Sequence, residues 1–209
     1  AAEIAHQLKN PLGIINNDAF TLQRTVKDGK TITQQIDLIR EEVHRSDRII
    51  TDLMGFAQLA EGTVQPLDIT SELDSAIEQV FPNALSKGMT INRNYGTALP
   101  KVTMQKGHFS ETIVNILHNA RDAMSGRGNI HVGAKLGEGL SIDIMIEDDG
   151  PGMSQELLDQ VFEPYFTTKE KGTGLGLAIV KHNVEIYGGK LMVESQLGAG
   201  TKFIIQLPA

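Results

Sequence analysis

The apolar residues of this 209-residue chain repeat with two different periods, and the change falls at one proline-containing segment. Before Gly62-Thr63-Val64-Gln65-Pro66 they recur in alternating steps of four and three, which is the heptad pattern of a helix with one narrow apolar seam. After it, short stretches alternate apolar and polar residues, as half-buried strands do. We therefore expect a helical part and a mixed part, joined by this linker.

The helical part is predicted to be an antiparallel hairpin, because Lys27-Asp28-Gly29-Lys30 predicts a turn between two heptad series. The seam positions are Ile4, Leu8, Leu12, Ile15, Ala19, Leu22 and Val26, then Ile36, Ile39, Val43, Ser46, Ile50, Leu53, Ala57 and Ala60. Two narrow seams bury little apolar surface, so we expect a homodimer that forms a four-helix bundle. Packing of the hairpin onto the rest of its own chain is the alternative.

The mixed part is predicted to alternate helices with strands. Helices are expected at 71–87, 106–124, 154–161 and 174–187, and strands at 90–94, 102–104, 130–134, 142–146, 190–195 and 202–207. Glycine-rich turns at 137–139 and 198–200 would join paired strands. Helices on one face of such a sheet make a two-layer α/β sandwich. The predicted fold class is α+β, with domains at 1–64 and 65–209.

Composition excludes several kinds of protein. The net charge of −7 argues against a nucleic-acid partner, which would need a basic surface. The absence of cysteine excludes disulfides, thiolate metal sites and cysteine nucleophiles. No apolar run is long enough to span a bilayer, so we expect no membrane contact by this segment. The chain begins inside a helical pattern, so we expect it to be a fragment of a longer protein.

Two glycine clusters make ATP the first ligand hypothesis. They are Asp148-Asp149-Gly150-Pro151-Gly152 and Gly172-Thr173-Gly174-Leu175-Gly176-Leu177. Glycine lets backbone N–H groups approach anionic oxygens, and a helix that begins near Gly174 would point its positive end at them. Either cluster alone is as easily an ordinary loop. Leu177 and Ala178 stand where a Walker or dinucleotide motif needs other residues, so neither motif is present.

Two asparagines share one face of the helix predicted at 106–124. Asn115 and Asn119 lie one turn apart, away from an apolar stripe formed by Phe109, Ile113, Ile116, Ala120 and Ala123. Asparagine is a poor residue for a helix interior, although a solvated face is the simple alternative. Neutral amide oxygens suit Mg²⁺, which takes few protein ligands when it bridges phosphates.

These motifs together resemble a known family. Asn115-Ile-Leu-His-Asn119-Ala120, Asp148-Asp-Gly150-Pro-Gly152, Phe162-Glu-Pro-Tyr-Phe166-Thr-Thr-Lys169, Gly172-Thr-Gly174-Leu-Gly176-Leu and Gly198-Ala-Gly200-Thr201 occur in one order. They resemble the Bergerat-type ATP-binding domain of bacterial sensor histidine kinases, within the wider group that includes gyrase-type and heat-shock chaperone ATPases. His6-Gln7-Leu8-Lys9-Asn10-Pro11-Leu12 looks like the phosphoacceptor box of the same kinases, which extends the resemblance to the whole chain.

The resemblance implies a role for each residue near the base. Asp148 is expected to accept a hydrogen bond from the adenine amino group, with Thr201 assisting through water. Gly150 and Gly152 would let the backbone lie against the base.

The resemblance also implies how the phosphates are held. Asn119, with Asn115, would bind Mg²⁺, and Lys169 would meet phosphate. Phe162 and Phe166 are expected to pack a lid. The residues expected to close over the triphosphate are Gly172, Gly174, Leu175 and Gly176.

One position favours phosphoryl transfer over hydrolysis. ATP-hydrolysing relatives of this pattern place a glutamate four residues before the magnesium-binding asparagine, and Asn115 occupies that position here. An amide cannot accept the proton of an attacking water. Glu111 lies one turn further back and is a poor substitute.

His6 is the expected phosphoryl acceptor. It lies about 200° round the helix from the seam, hence outward, and the other five histidines read as ordinary solvated residues. In the most common version of this box the next residue is glutamate, whereas here it is Gln7, which can orient the imidazole but cannot act as a base. This leaves three interpretations. Autophosphorylation is slow, or Glu3 takes the place of the missing glutamate, or the chain is a natural variant tuned differently.

Asn10, one turn after His6, resembles the amide that positions water against the phospho-aspartate of a bound response regulator; a solvated asparagine is the alternative. The resemblance thus implies autophosphorylation of His6, transfer to the receiver domain of a response regulator, and phosphatase activity toward it. The rivals are an ATP-binding scaffold without kinase activity, which Gln7 keeps open, and a serine kinase of the anti-sigma type. A cytoplasmic location is expected, with membrane anchoring of the parent protein left open.

Overall fold

The computed structural model describes residues 12–15, 17–20, 22, 32, 34–39, 42–43, 46, 63–82, 88–125, 127–169 and 172–209. The chain divides into two compact units. One consists of Ala1–Leu59 with Thr167–Thr173, and the other of Ala60–Phe166 with Gly174–Ala209. Each unit is described by itself.

The described residues of Ala1–Leu59 are helical, as the heptad pattern predicts. Helical stretches cover residues 12–15, 17–20 and 34–39. Several apolar side chains are exposed there, among them the seam residues Leu12, Ile36 and Val43. The predicted turn at 27–30 lies outside the described residues, and so do His6, Gln7 and Asn10.

The second unit is built on a five-stranded mixed sheet. Its strand order is β2-β4-β5-β7-β6, in which β2 and β4 are parallel and the other pairs antiparallel. A second, two-stranded sheet pairs β1 with β3. The strands are β1 Val64–Leu67, β2 Met89–Tyr95, β3 Val102–Gln105, β4 Gly128–Leu136, β5 Ser141–Asp148, β6 Lys190–Gln196 and β7 Gly200–Pro208.

In the described residues of this unit, four helices accompany the sheet: α1 Ile69–Val80, α2 Lys106–Ala123, α3 Gln155–Leu158 and α4 Gly176–Glu185. The core contains the alternate residues of the central strands together with the apolar stripes of α1, α2 and α4, and α2 packs against both α1 and α4. Along β5, Ile142, Ile144 and Ile146 are buried, while the residues between them are half-exposed. Helices therefore cover one face of the sheet, and the predicted two-layer α/β sandwich is confirmed.

Some predicted bounds were wrong. Residues 64–66, expected to be linker, belong to strand β1, whose pairing places Pro66 opposite Thr103. Pro66 is tolerated because β1 is an edge strand. Helix α1 ends at Val80 rather than 87, with residues 83–87 outside the description. Helix α3 is only four residues long.

No helix in the described part of the chain is both long and apolar enough to cross a bilayer.

Candidate nucleotide-binding site

Helix α2 holds the two predicted magnesium ligands against the core. Its apolar side is fully buried at Phe109, Ile113 and Ile116, which fixes the rotation of the helix. Asn115 and Asn119 are both half-buried on another face. The two amides therefore lie one turn apart on a fixed helix, with part of each side chain accessible to a ligand.

Asn115 also lies beside the start of helix α4. A Cβ at position 176 would come within 3.1 Å of Asn115 Oδ1, and Gly176 is the first residue of α4. No side chain caps this helix, whose N-cap position is Leu175. The Leu175 side chain is buried, so only its backbone could contact a phosphate. The structure thus brings Asn115, Leu175 and Gly176 together, and α4 begins two residues later than the glycine predicted to start it.

Asp148 is a buried carboxylate at the end of the central strand β5. Its side chain is 5% exposed, and its Oδ1 accepts a hydrogen bond from the Gly150 N–H at 3.0 Å. Burial raises the pKa of Asp148 above its usual range, although hydrogen bonds from the Gly150 and Thr201 backbone act in the opposite direction. The ionised form of this carboxylate is therefore destabilised by its surroundings, which is typical of a carboxylate at a functional site.

Thr201 faces Asp148 from the neighbouring strand. The two residues are paired in the antiparallel register of β5 and β7, and both are buried. An acceptor and a hydroxyl on adjacent strands can contact the same edge of a planar ligand. This is the pair that the sequence predicted for the adenine side of the site.

The glycines near Asp148 are required by backbone contacts. Gly152 has a φ of +66°, and a Cβ there would overlap the carbonyl oxygen of Gln196. At Gly200 a Cβ would overlap the carbonyl oxygen of Asp148 itself. The Gly198 N–H also donates to the Pro151 carbonyl at 2.7 Å. The turn after β5 is thus packed directly onto the β6–β7 turn, a reason for Gly152 that differs from the predicted contact with a base.

Sequence reasoning missed Ser195, which connects these elements. Its hydroxyl accepts the Met153 N–H at 2.8 Å and donates to the Gly200 carbonyl at 2.8 Å. It also lies 3.0 Å from Thr201 Oγ1. Nothing in the pattern of β6 distinguishes this serine from any other polar strand residue, so only the tertiary contacts identify it.

A hydrogen bond joins Tyr165 and Gly174, on either side of two residues expected to contact phosphate, Lys169 and Gly172. The Tyr165 N–H donates to the Gly174 carbonyl at 2.8 Å. Gly174 has a φ of +69°, and a Cβ there would overlap the Tyr165 backbone. Tyr165 itself has a φ of +69°, a strained value for a residue with a side chain. The direction of the chain here therefore depends on Tyr165 and Gly174, which contact each other and both adopt the left-handed backbone conformation.

Lys169 and Gly172 belong to the other compact unit. Locally, the Gly172 N–H donates to the Lys169 carbonyl at 3.1 Å, and the Lys169 N–H donates to Thr167 Oγ1 at 3.1 Å. They form a compact turn, and their part in binding phosphate stays a prediction.

The donor set fits magnesium better than a transition metal. In the described ranges, no three His, Asp or Glu side chains cluster to hold a metal ion. The candidate ligands are instead the neutral amide oxygens of Asn115 and Asn119, and Mg²⁺ commonly takes one or two protein oxygens and completes its shell with phosphate and water.

Comparison with known proteins agrees with this fold along the whole chain. The family of histidine kinase-, DNA gyrase B- and HSP90-like ATPases matches residues 104–209, and the His Kinase A (phospho-acceptor) domain matches residues 1–62. Sensor histidine kinase ZraS of Escherichia coli K12 is 31% identical over 208 residues, covering 100% of this chain and 44% of ZraS.

Two solved structures are similar. Full-length ShkA, in complex with AMPPNP, is 26% identical with a TM-score of 0.74, covering 99% of this chain and 45% of that one. ThkA in complex with response regulator protein TrrA is 21% identical with a TM-score of 0.81, covering 99% of this chain and 60% of that one, a likeness of fold alone. The chain spans less than half the length of ZraS and ShkA.

An ATP-binding α/β sandwich preceded by a phosphoacceptor domain defines a kinase core. The chain belongs to the histidine kinase family, as the catalytic core of a bacterial sensor histidine kinase.

Proposed function

We propose that this chain uses ATP to phosphorylate His6 and passes the phosphoryl group to an aspartate on the receiver domain of a response regulator. The observation that carries the proposal is the buried Asp148 beside Thr201 at the end of the central strands. A carboxylate with a raised pKa in a core position needs a hydrogen-bond donor to compensate its burial. The exocyclic amino group of adenine is such a donor.

The phosphates would lie between α2 and the start of α4. Asn119 and Asn115 would hold Mg²⁺, which neutralises phosphate charge during transfer. The start of α4 at Leu175 and Gly176, with Gly174 before it, would face the phosphate oxygens with the positive end of the helix dipole. Lys169 and Gly172 stay candidates for phosphate contact, as the resemblance implies.

Transfer rather than hydrolysis is supported by the surroundings of Glu111. This glutamate is one turn before Asn115, and its Oε2 accepts a hydrogen bond from the buried Asn183 Nδ2 at 3.0 Å. A carboxylate oxygen engaged in this way is poorly placed to take a proton from water. An attacking water would therefore lack a base, since Asn115 cannot serve as one.

The acceptor would react as a neutral imidazole. One ring nitrogen of His6 attacks the γ-phosphorus, the bond to the bridging oxygen breaks, ADP leaves, and the proton on the other ring nitrogen is lost. Gln7 can orient this ring but cannot take that proton, so we expect the step to be slow relative to a glutamate variant. Asn10 would position water for dephosphorylation of the bound regulator.

A homodimer is the form in which we expect this activity. Leu12, Ile36 and Val43 of the predicted seams are each about half exposed, and Phe20 and Leu38 beside them are exposed as well. A single copy leaves these apolar side chains in water, and a second copy of the helical part would bury them.

The test is incubation of the dimeric chain with γ-labelled ATP and magnesium. We expect acid-labile label on the wild type and on His131→Gln, an exposed histidine of β4, and none on His6→Gln or Asn119→Ala. Acid-stable label would instead indicate a serine kinase. No label on the wild type or on Gln7→Glu, with ATP still bound, would leave the ATP-binding scaffold, the alternative that Gln7 keeps open.

A further inference from the structure

Ser195 of strand β6 lies where the adenine side of the site meets the β6–β7 turn. It is half-buried and is paired with Thr201 in the antiparallel register of the two strands. Its hydroxyl oxygen has three neighbours: the Met153 N–H at 2.8 Å, the Gly200 carbonyl at 2.8 Å and Thr201 Oγ1 at 3.0 Å.

Counting hydrogens fixes the direction of the third bond. A serine hydroxyl has one hydrogen and two lone pairs. The Gly200 carbonyl can only accept, so it takes the hydrogen of Ser195, and the Met153 N–H can only donate, so it takes one lone pair. The second lone pair is left for Thr201, whose hydroxyl must therefore donate to Ser195.

Thr201 then has no hydrogen for a ligand. Its oxygen presents lone pairs alone, beside the carboxylate of Asp148 on the next strand, which also only accepts while it is ionised. Two neighbouring acceptors favour a base whose substituent at C6 is a donor. Adenine has an amino group at C6, whereas hypoxanthine and guanine have a carbonyl oxygen there and carry their hydrogen on N1.

We propose that Ser195 is a specificity-determining residue, which makes Thr201 an obligatory acceptor and so favours 6-amino over 6-oxo purine nucleotides. The inference rests on the proposed function in one respect, namely that the base lies against Asp148 and Thr201. Ser195 would act through Thr201, directly or through a water that donates to it, without touching the nucleotide.

The experiment compares ATP with inosine triphosphate, whose base has a carbonyl oxygen at C6 and a hydrogen on N1. Dissociation constants for both are measured with magnesium, over a range of pH, for the wild type, Ser195→Ala and Ser195→Thr. In Ser195→Ala the Thr201 hydrogen becomes available to a 6-oxo group, so the preference for ATP should fall about threefold to tenfold, the usual worth of one hydrogen bond. Ser195→Thr keeps the hydroxyl and should retain the preference.

A purely structural role predicts a different result. Loss of the Met153 contact alone would weaken both nucleotides equally, and an unchanged ratio in Ser195→Ala would overturn the inference. In a Thr201→Val background, Ser195→Ala should no longer alter the ratio. If Ser195→Ala does not fold, Ser195→Cys, whose sulfur is a weak acceptor, should lower the ratio in its place. If the wild type binds neither nucleotide, that result would instead contradict the proposed function.

Discussion

The adenine side and the phosphate side of the candidate site are built by different means. Asp148 and Thr201 lie on paired central strands, and the turns beside them are packed backbone to backbone. On the phosphate side, the Tyr165 N–H donates to the Gly174 carbonyl, and helix α4 begins at Gly176. The adenine side is part of the sheet, whereas these phosphate-side residues lie outside it.

This difference indicates how the two halves of a nucleotide would be recognised. We expect base recognition to depend on acceptors whose positions are set by strand pairing before any ligand arrives. We expect phosphate recognition to depend on backbone N–H groups at the start of α4. We expect substitutions on the adenine side to weaken ATP and ADP alike, and substitutions on the phosphate side to weaken ATP more than ADP.

The largest effect is expected from Gly200→Ala. The new methyl group would overlap the Asp148 carbonyl oxygen, and the φ of +88° is unfavourable for alanine. We expect a loss of stability on the order of 3 kcal/mol and loss of both ATP and ADP binding. Thermal unfolding and calorimetry measure the two. Gly198→Ala is the matched control, since its φ is +78° but nothing lies within 4 Å, and it should cost about 1 kcal/mol.

Gly174→Ala tests the phosphate side. The added methyl group would overlap the Tyr165 backbone and force Tyr165 and residue 174 apart. We expect ATP affinity to fall at least tenfold, about 1.4 kcal/mol, with a smaller loss for ADP. Gly188→Ala, with a φ of +71° and its nearest neighbour at 3.8 Å, controls for the backbone conformation. Equal losses for ATP and ADP would break the comparison between the two sides.

Asp148→Asn tests the buried carboxylate. Replacing the acceptor of a charge-assisted hydrogen bond should weaken ATP and ADP equally, by about tenfold to a hundredfold. Asp149→Asn is the neighbouring control, because that carboxylate is exposed and bonded to Asn129 at 2.7 Å. A control that loses as much affinity as Asp148→Asn would contradict the assignment.

The raised pKa of Asp148 also predicts a pH dependence. Nucleotide binding should weaken as the pH falls through this pKa, at a higher pH than for an exposed aspartate, and Asp148→Asn should lose this dependence. In the absence of ligand, the pH dependence of folding stability has the opposite sign. The stability that Asp148 contributes is present below its pKa in the unfolded chain and is lost as the pH rises through its pKa in the folded protein. Asp148→Asn should therefore melt higher than the wild type at neutral pH.

The smallest effect is expected from Gly176→Ala. A methyl group 3.1 Å from Asn115 Oδ1 would push that amide aside by a few tenths of an ångström. We expect about a threefold loss of magnesium-dependent ATP affinity, or roughly 0.7 kcal/mol. Gly107→Ala in α2 meets nothing within 4 Å and should stabilise the protein by about 0.5–1 kcal/mol instead. A magnesium titration of both variants measures the difference.

Periodicity alone predicted most of the second unit. The alternation of Ile142, Ile144 and Ile146 was sufficient to place β5, because a strand with one buried face must repeat every second residue. The stripe on α2 predicted that helix to within one residue. Local pattern failed at β1, since a proline four residues after a glycine usually indicates a loop and the partner strand β3 is distant in sequence.

The sequence by itself determined the fold class, the family and the identity of the residues expected to bind nucleotide, because motif order and hydrophobic period are properties of the chain. Only the tertiary structure decided which contacts those residues make: that Gly152 and Gly200 are small to admit neighbouring carbonyls, that Gly176 adjoins Asn115, and that Ser195 bonds to Thr201. Each of these joins residues from different elements. Their approach depends on strand register and helix packing, which no local stretch of sequence encodes.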